Sequence, residues 1–374
     1  MSSTMKRGGL MARCALVCKV WGCVAAVQMA GAVQAQTMSM TDQNGRSVSV
    51  PVPVQRIASL VIPGASMVMT LDRSTERLVG INPAAREDMQ QGMLGRFFPA
   101  APRIAANMAT EGFAPNIEAL MNARPDVVLQ WGDRGESIVR PMEQMGLNVL
   151  TLKYGQTDYV TQWFRLIGQA TGRQERGNRL AAWIEQEQQS LRMQVAAIAP
   201  SQRPRALFLY RYHGGVQVGG MGTNMDHDIR LAGGINVAGA VKGNAAVTKE
   251  QIVAWNPEVI LLANLDSHLV PDDLYHDPIL SVTTAVQARR LYKMPRGGFR
   301  WDPPSQETPL AWRWLAGLLH PERFALQGFR ERVRNTYQDL YAATVSEADL
   351  DRVLQMPLNQ SSRGYQVLRA GGKP

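Results

Sequence analysis

An internal repeat constrains the fold of this chain more than any other feature of its sequence. Residues 117–131 and 249–263 are similar and superimpose at an offset of 132 residues. Each segment contains a glutamate, Glu118 or Glu250, at the start of a short helical pattern, and a proline followed by an acidic residue then leads into an apolar run. Such a run is typical of a strand buried on both faces of a parallel sheet. A helix–strand unit that occurs twice in the sequence predicts two related α/β lobes.

Each half of the chain also opens with a strand pattern that ends in a break. Residues 56–62 precede Pro63 and Gly64 in the first half, and residues 205–210 precede residues 211–215 in the second. Helical patterns alternate with these strands. This alternation is typical of Rossmann-like α/β sheets.

The stretch between the two halves predicts one long helix. Apolar residues recur at helical spacing from Leu180 to Val195, and no proline follows them before Pro200. A surface helix within one domain is the alternative, but the repeat on either side favours a connector. The predicted divisions are a signal peptide (1–35), an N-terminal lobe (36–171), a linking helix (172–200), a C-terminal lobe (201–358) and a disordered tail (359–374).

The N-terminus has the pattern of a secretory signal. Lys6, Arg7 and Arg13 precede an apolar run over residues 20–32, and small residues stand before Gln36, the expected new N-terminus. The alternative is a membrane anchor, but the run is shorter than the roughly 20 apolar residues that span a bilayer. We therefore expect cleavage and release into the periplasm.

Cysteine content and charge exclude several classes of function. Cys14, Cys18 and Cys23 all lie in the leader, so the mature chain would have neither disulfides nor thiolate metal sites. Trp21 disfavours a lipid anchor on Cys23, because small residues belong before a lipidated cysteine. The formal net charge of +9 falls to about +5 without the leader and forms no basic block. We therefore expect that the protein does not bind nucleic acid, and its mild positive field suits an anionic small ligand. We also expect a monomer.

Short motifs recur in a fixed order along almost the whole mature chain. They are residues 56–60, 125–129, 168–172, 232–238 and 250–252. In their order and spacing they resemble the helix-linked periplasmic binding proteins of ABC transporters for ferric siderophores, haem and vitamin B12. The resemblance implies two α/β lobes joined by one long rigid helix, with the ligand in the cleft between them.

The same resemblance implies a role for the two repeated glutamates. In these proteins a glutamate on each lobe docks onto arginines of the transporter's permease, and Glu118 and Glu250 occupy the matching positions. Paired charges across a transient interface steer and orient docking. The alternative is that both glutamates only stabilise the N-termini of their helices.

Candidate ligand-binding residues follow the predicted strands. Ligands of open parallel sheets lie outside the carboxyl ends of the strands, which places Pro63, Trp131 and residues 210–213 near the cleft. Trp131 also aligns with a cleft tryptophan of the vitamin B12-binding members, although a core aromatic is the alternative. The cluster comprises Tyr210, Arg211, Tyr212 and His213. Tyrosine and histidine can ligate iron, and arginine pairs with carboxylate or catecholate oxygens.

A second candidate group follows the strand pattern of residues 290–294. Gly297 and Gly298 permit a close turn, after which Arg300 and Trp301 are predicted to face the cleft. The histidines show no compact metal-binding spacing, so we predict neither a metal site nor a cofactor.

These features favour a binding protein over an enzyme. The leading hypothesis is capture of an iron chelate for an ABC importer, with cobalamin, haem and oxyanions such as molybdate open as ligands. The rival is an exported metal-dependent enzyme, which needs a nucleophile–base pair or an open metal site. The sequence contains no G-x-S-x-G elbow, and neither feature is recognisable in it.

Overall fold

The computed structural model describes residues 36–155 and 158–371. The predicted signal peptide in residues 1–35 lies outside the described residues, as do the last three residues of the predicted tail. Within the described ranges, no helix is long and apolar enough to cross a membrane.

The first half of the chain forms a parallel sheet in the order β4-β3-β5-β6, preceded by an antiparallel hairpin of β1 and β2. Its strands are β1 (Thr37–Thr41), β2 (Ser47–Pro51), β3 (Ile57–Ser59), β4 (Leu78–Ile81), β5 (Val127–Trp131) and β6 (Val149–Leu152). Its helices are α1 (Ile62–Asp72), α2 (Pro83–Gln91), α3 (Leu94–Phe97), α4 (Ile117–Ala123), α5 (Arg140–Gln144) and α6 (Asp158–Thr171). Pro63 lies inside the first turn of α1 instead of breaking the chain, because the amide that proline lacks has no partner at that position.

One long helix, α7 (Gln174–Ala196), follows α6. It buries Leu180, Ile184, Leu191 and Val195 along one side, and 23 residues give it a length of about 35 Å. Close packing against α6 requires Gly177, where a Cβ atom would lie 2.4 Å from the carbonyl oxygen of Phe164. A well-packed helix of 23 residues therefore connects the two sheets.

The second half forms a mixed sheet in the order β10-β8-β7-β11-β12, with β9 paired to the start of β7. β7, β11 and β12 are parallel, whereas β8 and β10 are antiparallel additions. Its strands are β7 (Arg205–Arg211), β8 (Gln217–Gly219), β9 (Ile235–Asn236), β10 (Asn244–Ala246), β11 (Val259–Leu262) and β12 (Leu291–Lys293). Its helices are α8 (Asn224–Leu231), α9 (Lys249–Trp255), α10 (Pro271–Tyr275), α11 (Thr284–Gln287), α12 (Thr308–Leu319), α13 (Phe329–Tyr341) and α14 (Glu347–Val353). The predicted two-lobed α/β class is confirmed.

The sequence repeat corresponds to a structural repeat. α4 and α9 have the same length, and the side chains of Asn116 and Thr248 accept the backbone N–H of the third helical residue in each. Both helices end at a residue in the left-handed conformation, Arg124 (φ 45°) and Asn256 (φ 42°). A fully buried strand follows each, β5 and β11.

The C-terminal region differs from the prediction. The stretch from Arg323 to about Leu354, predicted to be helical, contains α13 and α14. Residues 359–371, predicted to be disordered, pack against β12. The Asn359 amide bonds both the N–H and the carbonyl of Lys293, and Tyr365 is fully buried. The polar side chains that suggest disorder in the sequence instead form hydrogen bonds with the backbone of β12, an edge strand.

Candidate ligand-binding cleft

A cavity of about 470 Å³ lies where the carboxyl ends of strands from both sheets meet. Its lining combines aromatic rings, three arginines, one aspartate, and small or polar residues. The residues are Ile62, Pro63, Phe113, Trp131, Arg134, Tyr154, Phe208, Tyr210, Arg211, Thr223, Asn224, Met225, Asn244, Leu265, Phe299, Arg300, Asp302 and Pro303. This location is the one expected for ligands of open α/β sheets.

Trp131, the last residue of β5, is the centre of the N-terminal wall. Its ring packs edge-on against Phe113 at 6.1 Å, Tyr154 at 5.6 Å and Trp163 at 5.9 Å between centroids. The side chain is 2% exposed, and its indole N–H is buried with no hydrogen-bond partner in the described part of the chain. A buried donor of this kind is uncommon and marks a place where an acceptor would be favourable.

Arg134 adds a positive charge to this wall. Its guanidinium lies 4.6 Å from the centroid of the Phe113 ring and 5.6 Å from that of Trp131. The side chain is exposed, and no carboxylate within residues 36–155 and 158–371 pairs with it. Cation–π contacts hold the charge at the mouth of the cavity without neutralising it.

Two phenols line the cavity, one from each lobe. Tyr154 follows β6, and its hydroxyl lies 3.5 Å from Oδ1 of Asn224 in the other lobe. Burial, reinforced by Tyr210 and Asp302, raises the pKa of Tyr154. Burial and Asp302 also raise the pKa of Tyr210, the penultimate residue of β7. Both hydroxyl groups are therefore protonated donors at neutral pH.

Arg300 brings the second lobe's buried charge into the cavity. Its Nε lies 3.0 and 3.2 Å from the two carboxylate oxygens of Asp88 in α2. Burial alone lowers the pKa of this guanidinium, but Asp88 and Asp302 outweigh burial and raise it. Asp302 in turn accepts a 2.9 Å hydrogen bond from Nδ2 of Asn264. Hydrogen bonds and ion pairs therefore fix the positions of the Arg300 and Asp302 charges that line the cavity.

The structure brings Pro63, Trp131, Tyr210, Arg211 and Arg300 together, as predicted for cleft residues. Arg211 is the exposed last residue of β7, and no carboxylate in the described ranges pairs with it. These five residues converge from both lobes on one cavity.

Tyr212, His213 and Trp301, also predicted for the cleft, are not among the residues that line this cavity. β7 ends at Arg211, and the strand alternation that would send Tyr212 to the side of Tyr210 stops there. The Tyr212 hydroxyl bonds Asp277, and the backbone N–H of His213 bonds Asp266. Trp301 is 1% exposed, with its indole nitrogen 2.6 Å from the Glu307 carboxylate.

Most of the other cavity residues were not predicted from the sequence. Those with aromatic, charged or amide side chains include Phe113, Arg134, Tyr154, Asn224 and Asp302. Tyr154 and Arg134 lie within three residues of the ends of β6 and β5, so the carboxyl-end rule could have located them. Phe113 lies in a 3-10 helix of only three residues, which is too short to carry a periodic signal.

Glu118 and Glu250 occupy the second position of α4 and α9, and both are exposed. Asn116 and Thr248 supply the caps of these helices. Neither glutamate has an ion pair or side-chain hydrogen bond among the residues described. The carboxylates of Glu118 and Glu250 therefore do not serve as the hydrogen-bonding caps of their helices.

The described residues contain no group of three or more histidine, cysteine, aspartate or glutamate side chains placed to hold a metal ion. A larger groove of about 640 Å³ lies beside α8, but its described lining includes no tryptophan, tyrosine or phenylalanine. The cavity at the strand ends combines aromatic rings with three arginines, and both lobes contribute to its lining.

The family model for periplasmic binding proteins matches residues 75–296. The chain is 26% identical over 330 residues to the molybdate-binding protein MolA of Haemophilus influenzae, covering 81% of this chain and 90% of MolA. It is 27% identical over 252 residues to a cobalamin-binding protein of Halobacterium salinarum, covering 62% and 64%.

Solved structures give the same fold. A periplasmic solute-binding protein from Veillonella parvula superimposes with a TM-score of 0.80 at 26% identity, covering 87% of this chain and 99% of that one. The molybdate-bound MolA structure gives a TM-score of 0.73 at 23% identity, covering 83% and 99%. The resemblance predicted from the sequence motifs is confirmed.

Proposed function

Because this chain belongs to the periplasmic binding protein family, we propose that it is the substrate-binding component of an ABC importer. Its ligand is an anionic metal chelate, with a ferric siderophore or similar iron chelate as the leading candidate. The chelate lies in the cavity between the two lobes, and the loaded protein delivers it to the membrane permease.

The observation that carries this proposal is the pairing of charge with aromatic surface in one cavity. Arg134, Arg211 and Arg300 are opposed by the carboxylate of Asp302 within the lining. This excess of cations favours a ligand with several negative oxygens. A volume of about 470 Å³ lies in the range of sites for organic ligands. The aromatic walls suit the flat rings of a catecholate or a macrocycle.

Glu118 and Glu250 support the delivery step. They are exposed at equivalent positions of the two lobes, and their charges are unpaired among the described residues. In this proposal each glutamate contacts arginines on one half of the permease, so the repeat in the chain matches a repeated surface on the partner.

Molybdate is the second candidate ligand, because MolA is similar over most of the chain. The same arginines would bind this oxyanion. The aromatic walls would then have no contact role, which provides a way to distinguish the two ligands.

Isothermal titration calorimetry of the protein purified from periplasm tests the proposal. The probes are ferric tris-catecholate (anionic and aromatic), ferric citrate (anionic without aromatic rings), molybdate, haemin and cyanocobalamin. We expect the tightest binding with ferric tris-catecholate and at least a tenfold loss on Arg211→Ala with Arg300→Ala. The exposed Arg369→Ala variant is the matched control. Unchanged affinity in the double variant would exclude the arginines as ligand contacts.

A further inference from the structure

Asp88 and Arg300 join the two lobes beside the cavity. Asp88 lies in α2 of the N-terminal lobe, and Arg300 follows β12 of the C-terminal lobe. Their side chains are 11% and 14% exposed, and both Asp88 oxygens lie within 3.2 Å of Nε of Arg300. No other side chain in the described ranges donates a hydrogen bond to this carboxylate. The Asp88–Arg300 pair is therefore buried, and Arg300 is the one side-chain donor to this carboxylate among the described residues.

This pairing leaves the other edge of the guanidinium available. Arginine presents five N–H donors in one plane. Asp88 engages the Nε edge, and the two terminal nitrogens of Arg300 have no hydrogen-bond partner among the residues of the described chain. Arg300 lines the cavity, whereas Asp88 does not. Because the guanidinium of Arg300 is planar, fixing its Nε edge also fixes the direction of its two terminal nitrogens.

We infer that Asp88 is a positioning residue for ligand binding: it holds Nε of Arg300 so that the terminal nitrogens face the ligand as a preformed fork. This inference rests on the proposed binding of an anionic ligand at this cavity. A carboxylate, catecholate or oxyanion with two adjacent oxygens matches such a fork. Because the orienting group belongs to the opposite lobe, the fork is complete only while the lobes stay in register.

A neighbouring pair provides a matched control. Arg296 also crosses to α2, where it bonds Gln91, while its other terminal nitrogen bonds the carbonyl of Asn264 at 3.0 Å. Arg296 does not line the cavity. Gln91→Ala therefore removes a contact between the same helix and the same loop without touching the cavity's charges.

A positioning role for Asp88 and its negative charge alone predict opposite changes in ligand affinity when the carboxylate is removed. Removing the carboxylate of Asp88 removes a negative charge beside the cavity, so electrostatics alone predicts tighter binding of an anion. Loss of orientation predicts weaker binding, because an undirected guanidinium loses entropy when it binds. The sign of the change decides between them.

The experiment measures the affinity of ferric tris-catecholate, with molybdate as second probe, for a set of variants. We expect Asp88→Ala to weaken binding about tenfold, the effect of one charge-assisted hydrogen bond. Asp88→Asn keeps an acceptor for Nε and should stay within about threefold of the unmodified protein. In the Arg300→Ala background, Asp88→Ala should have no further effect. Gln91→Ala should change nothing.

Equal or tighter binding by Asp88→Ala would overturn the inference, as would a tenfold loss in the Arg300→Ala background. If Asp88→Ala does not fold, as judged by circular dichroism, Asp88→Ser replaces it, because a hydroxyl there is too short to reach Nε. If the unmodified protein binds none of the probes, the proposed ligand class fails, but the inference is still tested. Proton exchange of the ¹⁵N-labelled Arg300 Nε–H should then be at least tenfold faster in Asp88→Ala than in the unmodified protein, and equal rates would refute the positioning role.

Discussion

Arg56 and Arg205 make the same contact in the two lobes. Arg56 directly precedes β3, and Arg205 is the first residue of β7. Each donates to a carbonyl at the end of the helix that carries the exposed glutamate: Arg56 to Ala123 at 2.6 Å and Arg205 to Trp255. These carbonyls lie at the negative end of the helix, where a cation is favourable. The glutamate-bearing helices are thus fixed to their sheets by equivalent contacts.

This relationship predicts a measurable stability effect. Arg205→Ala should lower the free energy of unfolding by about 1 kcal/mol, because an exposed charged donor is lost from a helix terminus. Urea unfolding followed by circular dichroism measures the change. Arg192→Ala is the control, since Arg192 is an exposed arginine on α7. A loss in Arg192→Ala as large as that in Arg205→Ala would contradict the assigned contact.

The repeated parts of the fold were predictable because their signals are local and occur twice. Helical spacing, a proline and an apolar run locate α4 with β5 and α9 with β11. The packing of the C-terminal tail was not predictable in this way. Asn359 and Ser362 look like loop residues in sequence, but in the structure they bond the backbone of β12, and no periodic pattern records that pairing.

The exposed glutamates give a test of delivery to the permease. Glu118→Ala and Glu250→Ala should each reduce ligand-dependent stimulation of the transporter's ATPase about tenfold, because each loses a charge pair at the interface. Affinity for the ligand should stay unchanged, since neither residue lines the cavity. ATPase assays with the permease complex in nanodiscs and calorimetry of the free protein measure the two quantities.

Glu175 provides the control for this test. It is also an exposed glutamate in the first turn of a helix, α7, and lies outside the repeat. Glu175→Ala should leave ATPase stimulation intact. Stimulation that persists in the Glu118→Ala Glu250→Ala double variant would remove the docking role.

The candidate site was only partly predictable, for a geometric reason. The rule that ligands lie at strand ends predicted Trp131 and Tyr210 for the cleft, and both line the cavity. Tyr212 and Trp301, also predicted for the cleft, do not line the cavity, because side-chain direction follows strand alternation only while the strand continues. Beyond a strand end, the direction is set by tertiary partners, here Asp277 and Glu307, that are distant in sequence.

Glu307 is expected to stabilise the loop that carries Arg300. Its fully buried carboxylate accepts hydrogen bonds from the backbone N–H of Phe299, the Trp301 indole and the hydroxyl groups of Tyr337 and Tyr341. Glu307→Ala would leave these donors unsatisfied, so it should lower the free energy of unfolding by at least about 3 kcal/mol. Thermal and urea unfolding measure the loss. Glu322→Ala, at an exposed site, is the control, and equal stability of the two variants would contradict the prediction.

Lys293 gives the chain a specific pH dependence. Its buried Nζ donates to the carbonyls of Ala263 at 2.7 Å and Asp266 at 2.8 Å, and burial lowers its pKa to about 8. Between about pH 8 and 10 the folded state has released this proton while the unfolded chain, with a lysine pKa of about 10.4, still holds it. The unfolded state then binds more protons, so stability from this group rises with pH, by about 2–3 kcal/mol across the window.

Lys293→Met isolates this contribution, because methionine keeps the apolar stem and does not titrate. The difference in unfolding free energy between the unmodified protein and the variant should grow steadily from pH 8 to pH 10. The buried tyrosines, whose pKa values are raised, act on both proteins alike and cancel in the difference. Urea unfolding at half-unit pH intervals measures it. A difference that is flat or shrinks across this window would mean that Lys293 keeps its proton in the folded state.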